Sequence, residues 1–152
     1  MQVTASIVVD GTPDDVFRFV SDVTNMPRWV KGVSSARLAG DPMGRGARFL
    51  VNYTAARKVN EIEFEVATYE RPVAFGTVTT KGPFSFEGRL TFQQAENGTL
   101  VTNAIEAGPD SVATQVAVLL FGRLLRSSWQ RRLARELEGL RAAVADSRDS
   151  MR

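Results

Sequence analysis

Chemistry in this chain must be built without imidazole or thiol, because its 152 residues include no histidine and no cysteine. Those absences exclude Ser-His and Cys-His nucleophile pairs, imidazole-ligated zinc or iron, thiolate metal sites and disulfides. What remains is carboxylates, tyrosine, arginine, lysine, hydroxyls and bound water. Three polar residues fall where the surrounding pattern is apolar and inward: Tyr53, Asn103 and Arg126. An isolated charge in an apolar setting is costly, so Arg126 requires a carboxylate such as Glu106, a water, a reach to the rim, or a ligand oxygen. Tyr53 and Asn103 have a plainer alternative as satisfied hydrogen bonds in the core. In a reactive site, Arg126 would stabilise a developing enolate while Tyr53 or a carboxylate moves the proton. Glu61, Glu63 and Glu65 alternate as ligands of a metal would, but the same spacing fits a solvated strand face, and no metal is expected. Gly44-Arg45-Gly46 is too short for a phosphate loop and is not followed by Lys-Ser/Thr. No acid/base pair stands at a suggestive spacing. The residues therefore favour binding over catalysis and call for no cofactor.

The elements that must position these residues can be read from their periodicity. Val3, Ala5, Ile7 and Val9 alternate with polar residues as in a half-buried strand. Thr12-Pro13-Asp14-Asp15 starts a helix, with Thr12 as cap and Pro13 in the first turn. Asp22 restarts a second short helix that should stop near Pro27, and Trp29 should be packed. Strands are expected over 33–39, 47–54, 59–69, 73–80 and 84–95, with a last one after Asn97-Gly98. If residues 55 and 58 bracket the first hairpin, opposite positions sum to 113. Phe49, Val51 and Tyr53 then share a face with Ile62, Phe64 and Val66, and the three glutamates face away. Phe84, Phe86, Gly88, Leu90 and Phe92 point one way. With Asn97-Gly98 at the centre of a type I′ turn, opposite positions sum to 195, pairing Leu90 with Ile105 and Phe92 with Asn103. A long helix is expected from Asp110 to about Asp146, its apolar stripe formed by Trp129, Leu133, Leu137, Leu140 and Val144. Leu119 and Leu133 should face the sheet, with Arg126 at the angular centre of the stripe. Arg131, Arg132 and Arg135 belong to the opposite, solvated side.

The order strand, short helices, six strands, long helix describes a curved antiparallel sheet gripping a helix, with room for a pocket between them. The length suits one domain, residues 1–146, with 147–152 as a disordered tail. No signal peptide and no stretch of about 20 apolar residues stands out, so a cytoplasmic protein with no membrane span is expected. The formal net charge is +2, but residues 111–152 carry eight Arg against four carboxylates. A solvated helix face explains that imbalance, and no nucleic acid is expected. The first half of the helix, 112–125, is apolar nearly all the way round. It could be covered by flanking loops, or form a lid, a homodimer contact or a lipid-facing patch, and its 116–125 part could meet a partner or membrane.

These pieces together resemble the START-related SRPBCC superfamily, in particular its polyketide cyclase/dehydrase-like branch. The resemblance is carried by Val9-Asp10-Gly11-Thr12-Pro13-Asp14-Asp15-Val16-Phe17, by Asp22 to Trp29 with Pro27-Arg28-Trp29, and by Gly44-Arg45-Gly46-Ala47-Arg48-Phe49. Glu65-Val66-Ala67-Thr68-Tyr69-Glu70-Arg71-Pro72 and Asn97-Gly98-Thr99-Leu100-Val101-Thr102 extend it over essentially the whole chain. It implies an α+β helix-grip fold: a seven-stranded antiparallel sheet around a long C-terminal helix, two short helices after strand 1, and a deep cavity. It implies a small hydrophobic ligand, lipid-like or polyketide-like. No residue matches a cyclase active site position by position, so none is carried over. The ligand contacts expected are Tyr53, Phe64, Phe84, Phe86, Phe92, Asn103, Leu119 and Arg126. A cyclase or dehydratase, and an interaction protein using segment 116–125, are the alternatives.

Overall fold

Each segment with a period of two forms a strand in the computed structural model. It describes residues 2–55, 57–82, 85–107 and 112–150, with the backbone alone for 55, 107 and 112–126. β1 (Gln2–Val9) is followed by α1 (Pro13–Ser21), a 3-10 turn (Val23–Asn25) and α2 (Met26–Trp29). Then come β2 (Val33–Leu38), β3 (Arg48–Ala55), β4 (Lys58–Glu70), β5 (Ala74–Lys81), β6 (Phe86–Ala95) and β7 (Gly98–Ala107). α3 (Val112–Ser150) closes the chain. The seven strands form one antiparallel sheet in the order β1-β7-β6-β5-β4-β3-β2, open between β1 and β2. Register shifts between Val33 and Ser35 and twice within the β4–β5 pair bend the sheet.

Local chemistry explains the entry into the helices. Thr12 accepts from the Asp15 amide at 3.1 Å while Asp15 accepts from the Thr12 amide at 3.3 Å, a reciprocal capping box. Pro27 does not end the second helical piece. It stands in the first turn of α2, where its missing N–H costs nothing, and the 3-10 turn carries the chain from Asp22 up to it. Trp29 is packed, 9% exposed.

The β3–β4 pairing has Phe49 opposite Phe64 and Val51 opposite Ile62, the register that sums to 113. The β6–β7 pairing differs from expectation by two residues. Leu90 lies opposite Asn103 and Phe92 opposite Val101, and the hairpin closes at Ala95 and Gly98. Gly98 is therefore a strand residue rather than a turn centre. A Cβ there would stand 2.3 Å from the Val9 carbonyl oxygen, so glycine serves a close approach of backbone to β1. A shift of two preserves every side chain's face. α3 also runs past Asp146 to Ser150, so residues 147–150 are helical rather than tail.

The concave face holds two different interiors along α3. Towards its C-terminal end Leu137 and Leu140 are fully buried, with Val144 at 3% exposure, against α1, α2 and the sheet. Phe17 centres this region, edge-to-face with Tyr69, Phe75 and Phe92 at centroid distances of 5.2, 6.3 and 5.6 Å. Gly139 lets Trp29 lie against the helix, and Arg28 donates to the Ala143 carbonyl at 3.3 Å. One turn or two back along α3, at Trp129 and Leu133, the filling stops and a cavity opens.

Candidate functional site

The cavity has a volume of about 330 Å³ and lies between the sheet and α3. One side-chain row crosses its floor: Val3 pairs with Ile105, Ile105 with Gly88, and Gly88 with Thr77. Val51 and Tyr53 of β3 and Ile62 and Phe64 of β4 continue the wall, with Phe49 stacked behind Phe64 at 5.3 Å. Phe86 meets Trp129 of α3 at 6.0 Å, and Met26, Val30 and Leu133 complete the apolar surface. Gly88 contributes space. A Cβ there would meet nothing nearer than Ile105 Cγ1 at 3.8 Å.

Apart from Thr77 on the floor, polar character is confined to one cluster. Arg132 donates through Nη2 to Tyr53 Oη and, at 3.5 Å, to the Lys31 carbonyl. Its guanidinium carbon lies 5.7 Å from the Tyr53 ring centre, and its Nε is 3.6 Å from Glu136 Oε1. Gly32, at φ +93°, allows the Tyr53 ring against the backbone; a Cβ would stand 3.0 Å from Tyr53 Cε2. The Glu136 side chain is only 11% exposed, and this burial pushes its carboxyl up to about 7, with Arg132 pulling the other way. The arrangement can bind an oxygen head group, place a cation beside a developing negative charge, and hold or release a proton near neutral pH. Among the described residues no cluster of three carboxylates could hold a metal ion.

Of the residues singled out from the sequence, Tyr53, Phe64 and Phe86 line the cavity. Phe92 does not; it packs against Phe17 in the closed part of the core. Asn103 is buried at 4% exposure on the same concave face, but it sits one pair beyond Ile105 and is not a lining residue. Phe84, and the side chains of Leu119, Arg126 and the 116–125 segment, lie outside the described residues. Arg132 was expected on the solvated side. Its Cα flanks the stripe, and its long side chain, 51% exposed, crosses back over Tyr53. Sequence reasoning missed Glu136 as well. The signal was there: Glu136 follows Trp129 by seven residues and Leu133 by three, the spacing of one helix face.

Residues 1–145 match the family model described as polyketide cyclase / dehydrase and lipid transport. Among solved structures, the protein TTHA0849 from Thermus thermophilus is similar with a TM-score of 0.78 and 20% identity, over 97% of this chain and 99% of that one. A START superfamily protein from Mycobacterium smegmatis gives 0.67 and 18%, over 93% and 97% of the two chains. The di-domain ARO/CYC BexL from the BE-7585A biosynthetic pathway gives 0.70 and 17%, over 95% of this chain and 50% of its own. A comparison with curated proteins finds no match. At these identities the structural likeness speaks for the helix-grip fold, with its long C-terminal helix and open seven-stranded sheet.

Proposed function

The chain belongs to the polyketide cyclase/dehydrase and lipid transport family, and from that premise we propose that it binds one small hydrophobic molecule, lipid-like or polyketide-like, between its sheet and α3. The observation that carries this reading is the 330 Å³ cavity, whose walls are apolar except for Tyr53, Thr77, Arg132 and Glu136. Burial of apolar surface supplies affinity at about 0.8 kcal/mol per methylene, and the few polar groups set orientation. Tyr53, Phe64 and Phe86 from the sheet and Trp129 and Leu133 from α3 are the contacts assigned to the apolar body.

The test is native mass spectrometry of protein purified gently from its own host, with extraction of whatever is bound. Gly88→Phe is the matching variant, because Gly88 lines the cavity and a Cβ there meets nothing nearer than Ile105 Cγ1 at 3.8 Å, leaving a larger side chain to fill the space. A defined adduct on the natural chain that is absent from Gly88→Phe is the expected result. An adduct that survives the substitution places the binding elsewhere on the molecule.

A cyclase or dehydratase reading has one specific observation in its favour. Glu136 titrates near neutrality beside the Arg132 cation, as an acid/base group next to an oxyanion stabiliser would. Incubating the extracted molecule with fresh protein separates the two. A carrier returns it unchanged, whereas a dehydratase returns it short of one water.

A further inference from the structure

The polar end of the cavity holds a charge arrangement that apolar binding alone leaves unused. Arg132 is half exposed, whereas Glu136, 3.6 Å from its Nε, is almost enclosed. The cation is the more accessible partner and the carboxyl the more hidden one. From the other elements, among the described residues, the cavity receives only apolar side chains, Thr77 and Tyr53, and Lys31 meets Arg132 through its carbonyl. Among the described residues, no second cation is placed to compensate both Glu136 and an incoming anion. Two anions on one guanidinium repel, and the favoured state keeps a proton on one of them. An entering anion in contact with Arg132 stays ionised. The proton then falls to Glu136, whose burial already favours the neutral form and sets its titration at about 7.

We propose, resting on the ligand-binding reading above, that the cavity selects an apolar molecule with one acidic head, which Arg132 holds while Glu136 takes up a proton from solvent. The ligand class is a lipid-like or aryl acid with a carboxylate or comparable oxyanion. A neutral ketone or alcohol of the same body makes no demand on Glu136 and binds without proton uptake.

The probes are 2-naphthoate, an anion near neutral pH, and its neutral counterpart 2-acetylnaphthalene. Fluorescence titrations of the full chain would measure both affinities, and calorimetry in phosphate and in Tris would count protons taken up. The affinity for naphthoate is expected to fall about tenfold between about pH 6 and about pH 8, with close to one proton taken up at the upper end, while the ketone stays flat. Glu136→Gln should abolish proton uptake and the pH dependence yet retain naphthoate, and Arg132→Gln should remove the preference for naphthoate over the ketone. Gly88→Phe should exclude both probes. Equal, pH-independent affinities without proton uptake, both blocked by Gly88→Phe, overturn the proton-coupled anchor and leave the cavity as the binding site. Binding of neither probe, or of both despite Gly88→Phe, overturns the binding reading and this proposal with it. The proton count is taken on the natural chain, so the outcome stands even if Glu136→Gln does not fold.

Discussion

Glu136 is a carboxylic acid in an apolar stripe, and its burial has a consequence for stability as well as for binding. Its carboxyl titrates at about 7 in the folded protein against an ordinary 4.5. The folded state therefore holds the proton more tightly than the unfolded chain does. That contribution favours folding fully below the ordinary value and is lost as pH rises to 7, at most about 3 kcal/mol in all. Glu136→Gln, which stays neutral, is expected to be more stable than the natural chain by about 1–3 kcal/mol near pH 8. The advantage should vanish at acid pH, as urea unfolding at both conditions would show. A variant less stable at pH 8 would mean that pairing with Arg132 outweighs burial. Tyr53 was legible beforehand because strand alternation assigns a face with a period of two. Arg132 was not, because helical periodicity gives the direction of a Cα–Cβ bond but not where a long flexible side chain ends.

The β6–β7 hairpin shows how one residue type can answer to two constraints. Asn97-Gly98 reads as a two-residue turn from local preference. Yet β1 lies beside β7, and the Val9 carbonyl approaches Gly98 so closely that a Cβ would stand 2.3 Å away. The glycine is needed in the strand, and the turn moves one residue back, to Glu96-Asn97. Gly98→Ala is accordingly expected to cost about 1–3 kcal/mol or more, as overpacking against backbone does, read as a lower urea midpoint with an unchanged slope. An alanine at this position with no effect would mean that the β1 end yields freely. The start of α1 needed no such correction. Thr12, Pro13 and Asp15 act within one turn of chain, where sequence neighbours are the only partners required.

Across the whole molecule, one helix spans a solid core and a cavity, and these two ends should answer differently to the same truncation. Leu137 is fully enclosed, so Leu137→Ala leaves a new void and is expected to cost about 3–5 kcal/mol in denaturant unfolding. Leu133 also lines the cavity, so Leu133→Ala enlarges existing space and should cost less, about 2–3 kcal/mol, while admitting bulkier ligands in a binding titration. Equal losses would show that the cavity collapses around the shortened side chain. The residues alone determined the element order, the inward faces of β3, β4 and β6, the stripe from Trp129 to Val144, and chemistry free of imidazole and thiol. All of these follow from local periodicity and composition. Only the tertiary structure decided that Phe92 and Asn103 belong outside the cavity, that Gly98 is a strand residue, and that Tyr53, Arg132 and Glu136 meet. Those outcomes depend on how far side chains reach across a packed interface and on backbone approaches between distant segments, and periodicity carries neither.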